Sequence, residues 1–165
     1  MKSVQVEELS KDVFEPYGSY TDMLNPTGPC LGEGNIRFYR DMIPVQFGGG
    51  TLTAFSNCRV EPREMVVDAS EFHHGTCEGL LPLDGDMLMH VMPASAGDKP
   101  PVDDMQVFRV PQGTLCILRP GVWHHAPFAV ADKPLNILIV LPERTYAIDC
   151  VGVPLDADQQ VRVET

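Results

Sequence analysis

The sequence predicts an all-β protein, a barrel of short strands with one short helix near its N-terminus, and three observations carry that expectation. Its 14 glycines and 15 prolines in 165 residues exceed the roughly 12% of an average chain, which favours short elements joined by tight turns and argues against a helical bundle. Short segments rich in β-branched and aromatic residues recur along the chain. Turn signals stand between them, including Gly48-Gly49-Gly50, Asp84-Gly85-Asp86, Gln112-Gly113 and Pro120-Gly121. Strands punctuated in this way build a sandwich or barrel. The length fits a single domain over residues 1–165, because domains typically take roughly 100–200 residues.

Taken in order, Ser10-Lys11-Asp12-Val13-Phe14-Glu15-Pro16-Tyr17-Gly18 begins on a helix-capping residue and ends on Pro and Gly, so the helix belongs there. Strands are expected over residues 36–43, 51–60, 65–72, 87–92, 105–110, 114–119 and 135–141, where β-branched and aromatic side chains concentrate. Residues 94–104 contain Gly97, Pro100 and Pro101 without periodicity and read as a surface loop joining two halves of the barrel. The polar, acidic end over residues 156–165 reads as an edge strand or a frayed tail.

The hydrophobic fraction of 44% and charged fraction of 21% are those of a globular chain. A formal net charge of −11 repels phosphate backbones and anionic lipid, so no nucleic-acid or membrane partner is expected. A small anionic substrate then needs arginines or a metal ion to reverse the local potential. The five cysteines, Cys30, Cys58, Cys77, Cys116 and Cys150, are odd in number and form no C-x-x-C pair, which excludes a disulfide framework and a zinc knuckle. They read as packed thiols in a reducing compartment. The chain begins with acids instead of an apolar leader, and its most apolar stretch, residues 135–141, is far too short to span a bilayer, so a cytoplasmic location is expected.

Chemistry concentrates in Glu71-Phe72-His73-His74-Gly75-Thr76-Cys77-Glu78. Residues two apart in a strand share a face, so Glu71 and His73 point one way and His74 the other. Glu78 lies past Gly75, where a turn into the next strand returns it toward His73. The second piece is Arg119-Pro120-Gly121-Val122-Trp123-His124-His125, in which a glycine turn delivers His124 into the barrel. Two acids aimed into one small barrel repel unless neutralised, which points to a metal or catalytic role for Glu71, His73, Glu78 and His124 together. His74, His90 and His125 read as structural or surface histidines. Trp123 reads as packing at the barrel mouth, and the eight methionines as core filler.

These residues resemble the paired metal motifs of the cupins, whose fold is a double-stranded β-helix or jelly-roll barrel. Glu71-x-His73, Glu78 and Gly85 keep the spacing of the first motif, with Glu in place of its first His; Gly113 and Gly121-x-x-His124 keep that of the second, with Arg119 and Phe128 replacing Pro and Asn. Closer still, the chain resembles the ureidoglycolate lyase family, which carries an E-R-H-x-x-x-x-Q stretch and a later V-W-H-H. Here these are Glu71-Phe72-His73 with Glu78, and Val122-Trp123-His124-His125. The family's early Phe and Tyr-Gly match Phe14 and Tyr17-Gly18, a later pair matches Tyr39 and Asp41, and Arg59 falls where Arg is common. Phe72 and Glu78 depart from the family's Arg and Gln, and residues 115–118 lack its upstream Tyr.

The resemblance implies cleavage of ureidoglycolate to glyoxylate and urea by a metal-assisted acid/base elimination. Two imidazoles and two carboxylates suit one divalent ion, manganese, iron, nickel or zinc. His73, Glu78 and His124 are its expected ligands, and Glu71 is a fourth ligand or the general base. His125 returns a proton if its ring faces inward, and Arg59 or Arg119 clamps the substrate carboxylate. Two other readings stand beside this one. The same geometry supports a cupin isomerase or lyase acting on another hydroxy acid or sugar acid, and the fold also suits a non-catalytic binder of small acids. A homodimer is expected from the resemblance and from the prevalence of two-fold dimers.

Overall fold

The structure, a computed structural model, describes residues 1–48 and 52–165. The first strands are β1 (Lys2–Glu8), β2 (Gly18–Asp22), β3 (Cys30–Leu31), β4 (Phe38–Tyr39) and β5 (Thr53–Val60). There follow β6 (Val66–Val67), β7 (Ala69–Phe72), β8 (Glu78–Pro82), β9 (Met87–Val91) and β10 (Gln106–Val110). The last are β11 (Thr114–Leu118), β12 (Phe128–Ala129), β13 (Leu135–Pro142), β14 (Val151–Pro154) and β15 (Val161–Glu164). Two short helices, α1 (Lys11–Phe14) and α2 (Thr145–Ile148), complete the elements described.

A six-stranded sheet in the order β12-β9-β10-β1-β15-β6 faces a five-stranded sheet in the order β2-β11-β8-β13-β5. One buried cluster fills the space between them, with Met87, Met89, Phe108 and Val110 from the first sheet and Leu80, Cys116, Leu118 and Ile137 from the second. A second cluster, including Phe72, Leu88, Val107 and Trp123, covers the other side of β9 and β10. Every residue of β9 is buried because its alternate side chains enter different clusters. This is why residues 87–91 read as an unbroken apolar run apart from His90.

β5, β9, β10, β11 and β13 fall inside the expected segments or within one residue of them. The differences from expectation have physical causes. The helix is only four residues long, because Pro16 has no N–H to extend the ladder and the Tyr17 N–H closes a tighter turn on the Phe14 carbonyl at 2.9 Å. Phe14 anchors it, edge-on to Phe108 with ring centroids 5.5 Å apart. Of residues 36–43 only Phe38–Tyr39 pairs, with β3 and with neither large sheet. The loop at 94–104, which includes a 3-10 turn at Val102–Asp104, joins adjacent antiparallel strands of one sheet and not two halves of the barrel. Residues Val161–Glu164 are no frayed tail: they form β15 in the interior of the six-stranded sheet, parallel to β1. Positions 49 and 50 of the expected turn, and the expected strand start at 51, lie outside the described residues.

Candidate active site

Two backbone connections bring the motifs together. An isolated bridge ties Glu71 to His124, with the Glu71 N–H on the His124 carbonyl at 2.6 Å and the His124 N–H on the Glu71 carbonyl at 2.8 Å. The turn before His124 then docks through Gly121, whose N–H donates to the His73 carbonyl at 2.7 Å. Gly121 sits at φ 82°, a left-handed conformation that a side chain disfavours. Glu78 enters as the first residue of β8, opposite Leu118 of β11.

One nitrogen each from His73 and His124 and one carboxylate oxygen of Glu78 lie within 4.8 Å of one another, all on buried residues. His73 Nε2 is 3.0 Å and His124 Nε2 2.7 Å from Glu78 Oε2. The other nitrogen of each ring meets a backbone carbonyl, His73 Nδ1 at Asp149 (2.6 Å) and His124 Nδ1 at Val122 (2.9 Å). A carbonyl only accepts, so both Nδ1 atoms carry hydrogen and both Nε2 atoms turn toward Glu78. A carboxylate between two Nε2 lone pairs requires positive charge at that point, either a ring proton or a cation. Burial raises the Glu78 carboxyl, but the charges and hydrogen bonds of His124 and His73 override it and hold it at about 2. For His124, burial acts downward and Glu78 outweighs it, leaving the ring above its ordinary value. Two imidazole nitrogens with fixed tautomers and one ionised carboxylate form a donor set that fits a divalent ion.

Glu71 and His125 line the same cavity of about 190 Å³ as the three-residue cluster, but neither belongs to the cluster itself. The Glu71 carboxylate instead accepts a hydrogen bond from the Cys150 thiol at 3.1 Å. Burial, and then Glu71, push that thiol up to about 12, so Cys150 stays a donor. Leu80 and Ile139 form an apolar wall from the five-stranded sheet, and Tyr146 of α2 stands at the rim, largely exposed. The two arginines assigned to a substrate carboxylate lie elsewhere. Arg59 Nε pairs with Glu61 at 3.0 Å, and Arg119 Nη2 pairs with Glu15 at 2.6 Å while Nη1 reaches the Pro16 carbonyl. Among the described residues no Lys or Arg lines the cavity.

His74 is exposed, with its ring 4.6 Å from that of Phe72; both it and His73 lie past the end of β7, in the loop and not in a strand as expected. His90 is buried, with Nε2 3.3 Å from Ser70 Oγ, and Ser70 in turn donates to the His124 carbonyl at 3.1 Å. Burial, then the nearby His124, His125 and Arg63, hold His90 down to about 3, so it is neutral. Trp123 is buried, with its ring 4.5 Å from Phe72. The sequence reading missed Asp149 and Cys150, which touch the site across 76 and 79 positions. No spacing rule connects residues so far apart.

Comparison with known proteins bears on the family and the fold. The family profile described as Ureidoglycolate lyase matches residues 1–163. A ureidoglycolate lyase of Azotobacter vinelandii (strain DJ) is 25% identical over 142 residues, covering 84% of this chain and 85% of its own. One from Brucella melitensis biotype 2 is 25% identical over 168 aligned positions, covering 100% and 96%. Among solved structures, a dTDP sugar isomerase from Desulfovibrio desulfuricans G20 superposes with a TM-score of 0.54 over 87% of this chain and 89% of its own. At 16% identity that likeness is one of fold, and the barrel is of the cupin type. No helix among the described residues is long and apolar enough to cross a membrane. With the profile reaching to within two residues of the C-terminus, the chain belongs to the ureidoglycolate lyase family.

Proposed function

We propose that the protein cleaves ureidoglycolate to glyoxylate and urea, with one divalent ion held by His73, Glu78 and His124 and with Glu71 as general base. The observation that supports this reading is the convergence of three ligand atoms within 4.8 Å on a cavity that also exposes Glu71 and His125. Manganese, iron, nickel and zinc all accept such a donor set. When bound, the ion supplies a Lewis acid that attracts a carboxylate and lowers the pKa of a hydroxyl.

The chain's own residues then move one proton from oxygen to nitrogen. Glu71 takes the proton of the substrate hydroxyl, whose C–O bond becomes a carbonyl as the C–N bond breaks. The electron pair departs on the ureido nitrogen, which takes back the proton from Glu71, leaving glyoxylate, urea and the enzyme in its starting state. His125, on the same wall, offers a second route for that returning proton. The apolar wall of Leu80 and Ile139 limits water around the breaking bond. With no Lys or Arg on the wall among the described residues, the substrate carboxylate is left to the cation site.

The five free cysteines support a cytoplasmic enzyme, and two-fold symmetry is the commonest assembly for such a chain. Sedimentation at micromolar concentration gives twice 18.2 kDa for the homodimer and the single-chain mass if there is none. The test of function is the release of urea and glyoxylate from ureidoglycolate by metal-loaded protein purified without a metal-binding tag. Equal amounts of both products are expected. Loaded protein that releases neither overturns the reading.

A further inference from the structure

One stretch of chain, from α2 to the start of β14, lines part of the cavity through Tyr146 and Cys150 and reaches two of the working residues of the site. The Asp149 carbonyl accepts the His73 Nδ1–H at 2.6 Å. The carboxylate of the same residue accepts the N–H of His74 at 2.8 Å and of Gly75 at 3.0 Å. Asp149 therefore clasps both the ring and the loop that follows it. The next residue, Cys150, donates its thiol hydrogen to Glu71 Oε2 at 3.1 Å. Both ends of the stretch are fixed. Buried Thr145 bonds the Pro142 carbonyl through its hydroxyl at 2.8 Å, and β14 ladders onto β7, pairing Val151 with Phe72 and Gly152 with Glu71.

From this arrangement we propose that residues 145–150 are the positioning element of the active site, Asp149 orienting the ligand His73 and Cys150 orienting the base Glu71. The proposal rests on the roles assigned to those two residues above. The main-chain carbonyl of Asp149 sets the tautomer and angle of the imidazole, the usual work of a group behind a metal-binding histidine, and its carboxylate fixes the loop through the His74 and Gly75 N–H groups. Cys150 holds one carboxylate oxygen of Glu71 and leaves the other free toward the substrate, so the proton acceptor does not rotate away between turnovers.

Calorimetric titration of the metal-free protein with Mn(II) or Zn(II) tests the first half. Asp149→Ala keeps the carbonyl but frees the loop that the carboxylate holds, so ion binding weakens by about tenfold, and Asp149→Asn, which keeps one acceptor oxygen for the loop, falls between it and the unsubstituted protein. In the metal-free protein with 15N-labelled histidine, the His73 signals report a hydrogen on Nδ1 facing the Asp149 carbonyl, and Asp149→Ala, in which the side chain no longer holds that carbonyl in place, weakens the pattern without abolishing it. The second half predicts that Cys150→Ala lowers kcat about tenfold or more with KM and ion affinity within about twofold. Cys150→Ser, whose hydroxyl donates to the same oxygen, restores most of kcat. Infrared difference spectra place the Cys150 S–H stretch at low frequency, and Glu71→Ala moves it up. Wild-type ion affinity in both Asp149 variants overturns the first role. Equal kcat in the Ala and Ser variants of Cys150, or an S–H band indifferent to Glu71, overturns the second. If the unsubstituted protein releases no urea, the functional reading fails by itself, while ion affinity, histidine signals and the S–H band still decide the positioning roles.

Discussion

Replacing Glu71 by Gln separates a base from a ligand within one cavity. Glu71 is outside the set of three atoms that lie within 4.8 Å of one another, and its bridge to His124 is made by backbone atoms. The amide keeps an oxygen for the Cys150 thiol, so neither the fold nor the cation site loses a contact. What disappears is the capacity to take a proton near neutral pH. Loss of a general base lowers turnover by about 10²–10⁴, equivalent to about 3–5 kcal/mol of barrier. Metal content stays near that of the unsubstituted protein.

His124→Ala is the contrasting perturbation. It removes one of three ligand atoms and leaves the buried Glu78 carboxylate with His73 as its one imidazole partner at 3.0 Å. Taking one partner from a buried charged pair costs about 3–5 kcal/mol, which lowers the melting temperature by about 6–20 °C for a chain of this size. Metal and activity fall together. Elemental analysis, urea release and a melting curve on both variants decide the matter. A Glu71→Gln protein that loses its metal as fully as His124→Ala, or one that keeps full turnover, refutes the reasoning.

Three further outcomes follow from the geometry. Gly121→Ala forces a side chain into φ 82° and toward the Ala94 Cβ at 3.0 Å, costing about 1–2 kcal/mol; calorimetry should show a melting temperature about 2–8 °C lower. Glu78, held near 2 against an ordinary 4.5, contributes about 3 kcal/mol to the metal-free protein above pH 4.5 that is lost as pH falls toward 2. His90, held near 3 against 6.5, acts in the same direction, so melting temperature in chelator drops progressively below pH 6.5, and a curve flat to pH 3 contradicts both assignments. Glyoxylate should give binding heat only after the protein is loaded with metal, because Glu71 and Glu78 line a cavity without Lys or Arg among the described residues; equal heats in both forms would show another anion site.

The sequence was most legible where the pattern is local. The strands at 53–60, 106–110 and 135–142 are runs of β-branched and apolar residues closed by turn residues, and nothing distant is needed to see them. β1 was illegible because only Val4 and Val6 mark its buried side, and its partners are distant in sequence, β10 at Gln106–Val110 and β15 at Val161–Glu164. β8 is a short E-G-L-L-P segment whose Gly79 and Pro82 look like turn residues. Gly79 serves packing instead, since a Cβ there would stand 3.2 Å from Val140 and 3.3 Å from Ile117. The three-residue cluster was legible because ligand spacing survives in sequence. The partners of Arg59 and Arg119 were not legible, because strand position says nothing about which surface acid captures a long side chain, and Glu61 and Glu15 do so here.

Charge also constrains the order of events at the site. The chain carries a formal −11, and two carboxylates share one small cavity with apolar walls. Like charges in such surroundings repel, so a third carboxylate entering with the substrate is disfavoured. The two rings cannot relieve this alone: one proton on His124 balances Glu78 and leaves Glu71 and the substrate opposed. A divalent cation adds the missing charge at the one point where the Nε2 atoms already face inward, and Glu71, outside the ligand set, is then free to exchange its proton. On the proposed reading ion binding precedes substrate binding, because a chain of net charge −11 with no Lys or Arg on the cavity wall among the described residues disfavours an anion there until a cation is held.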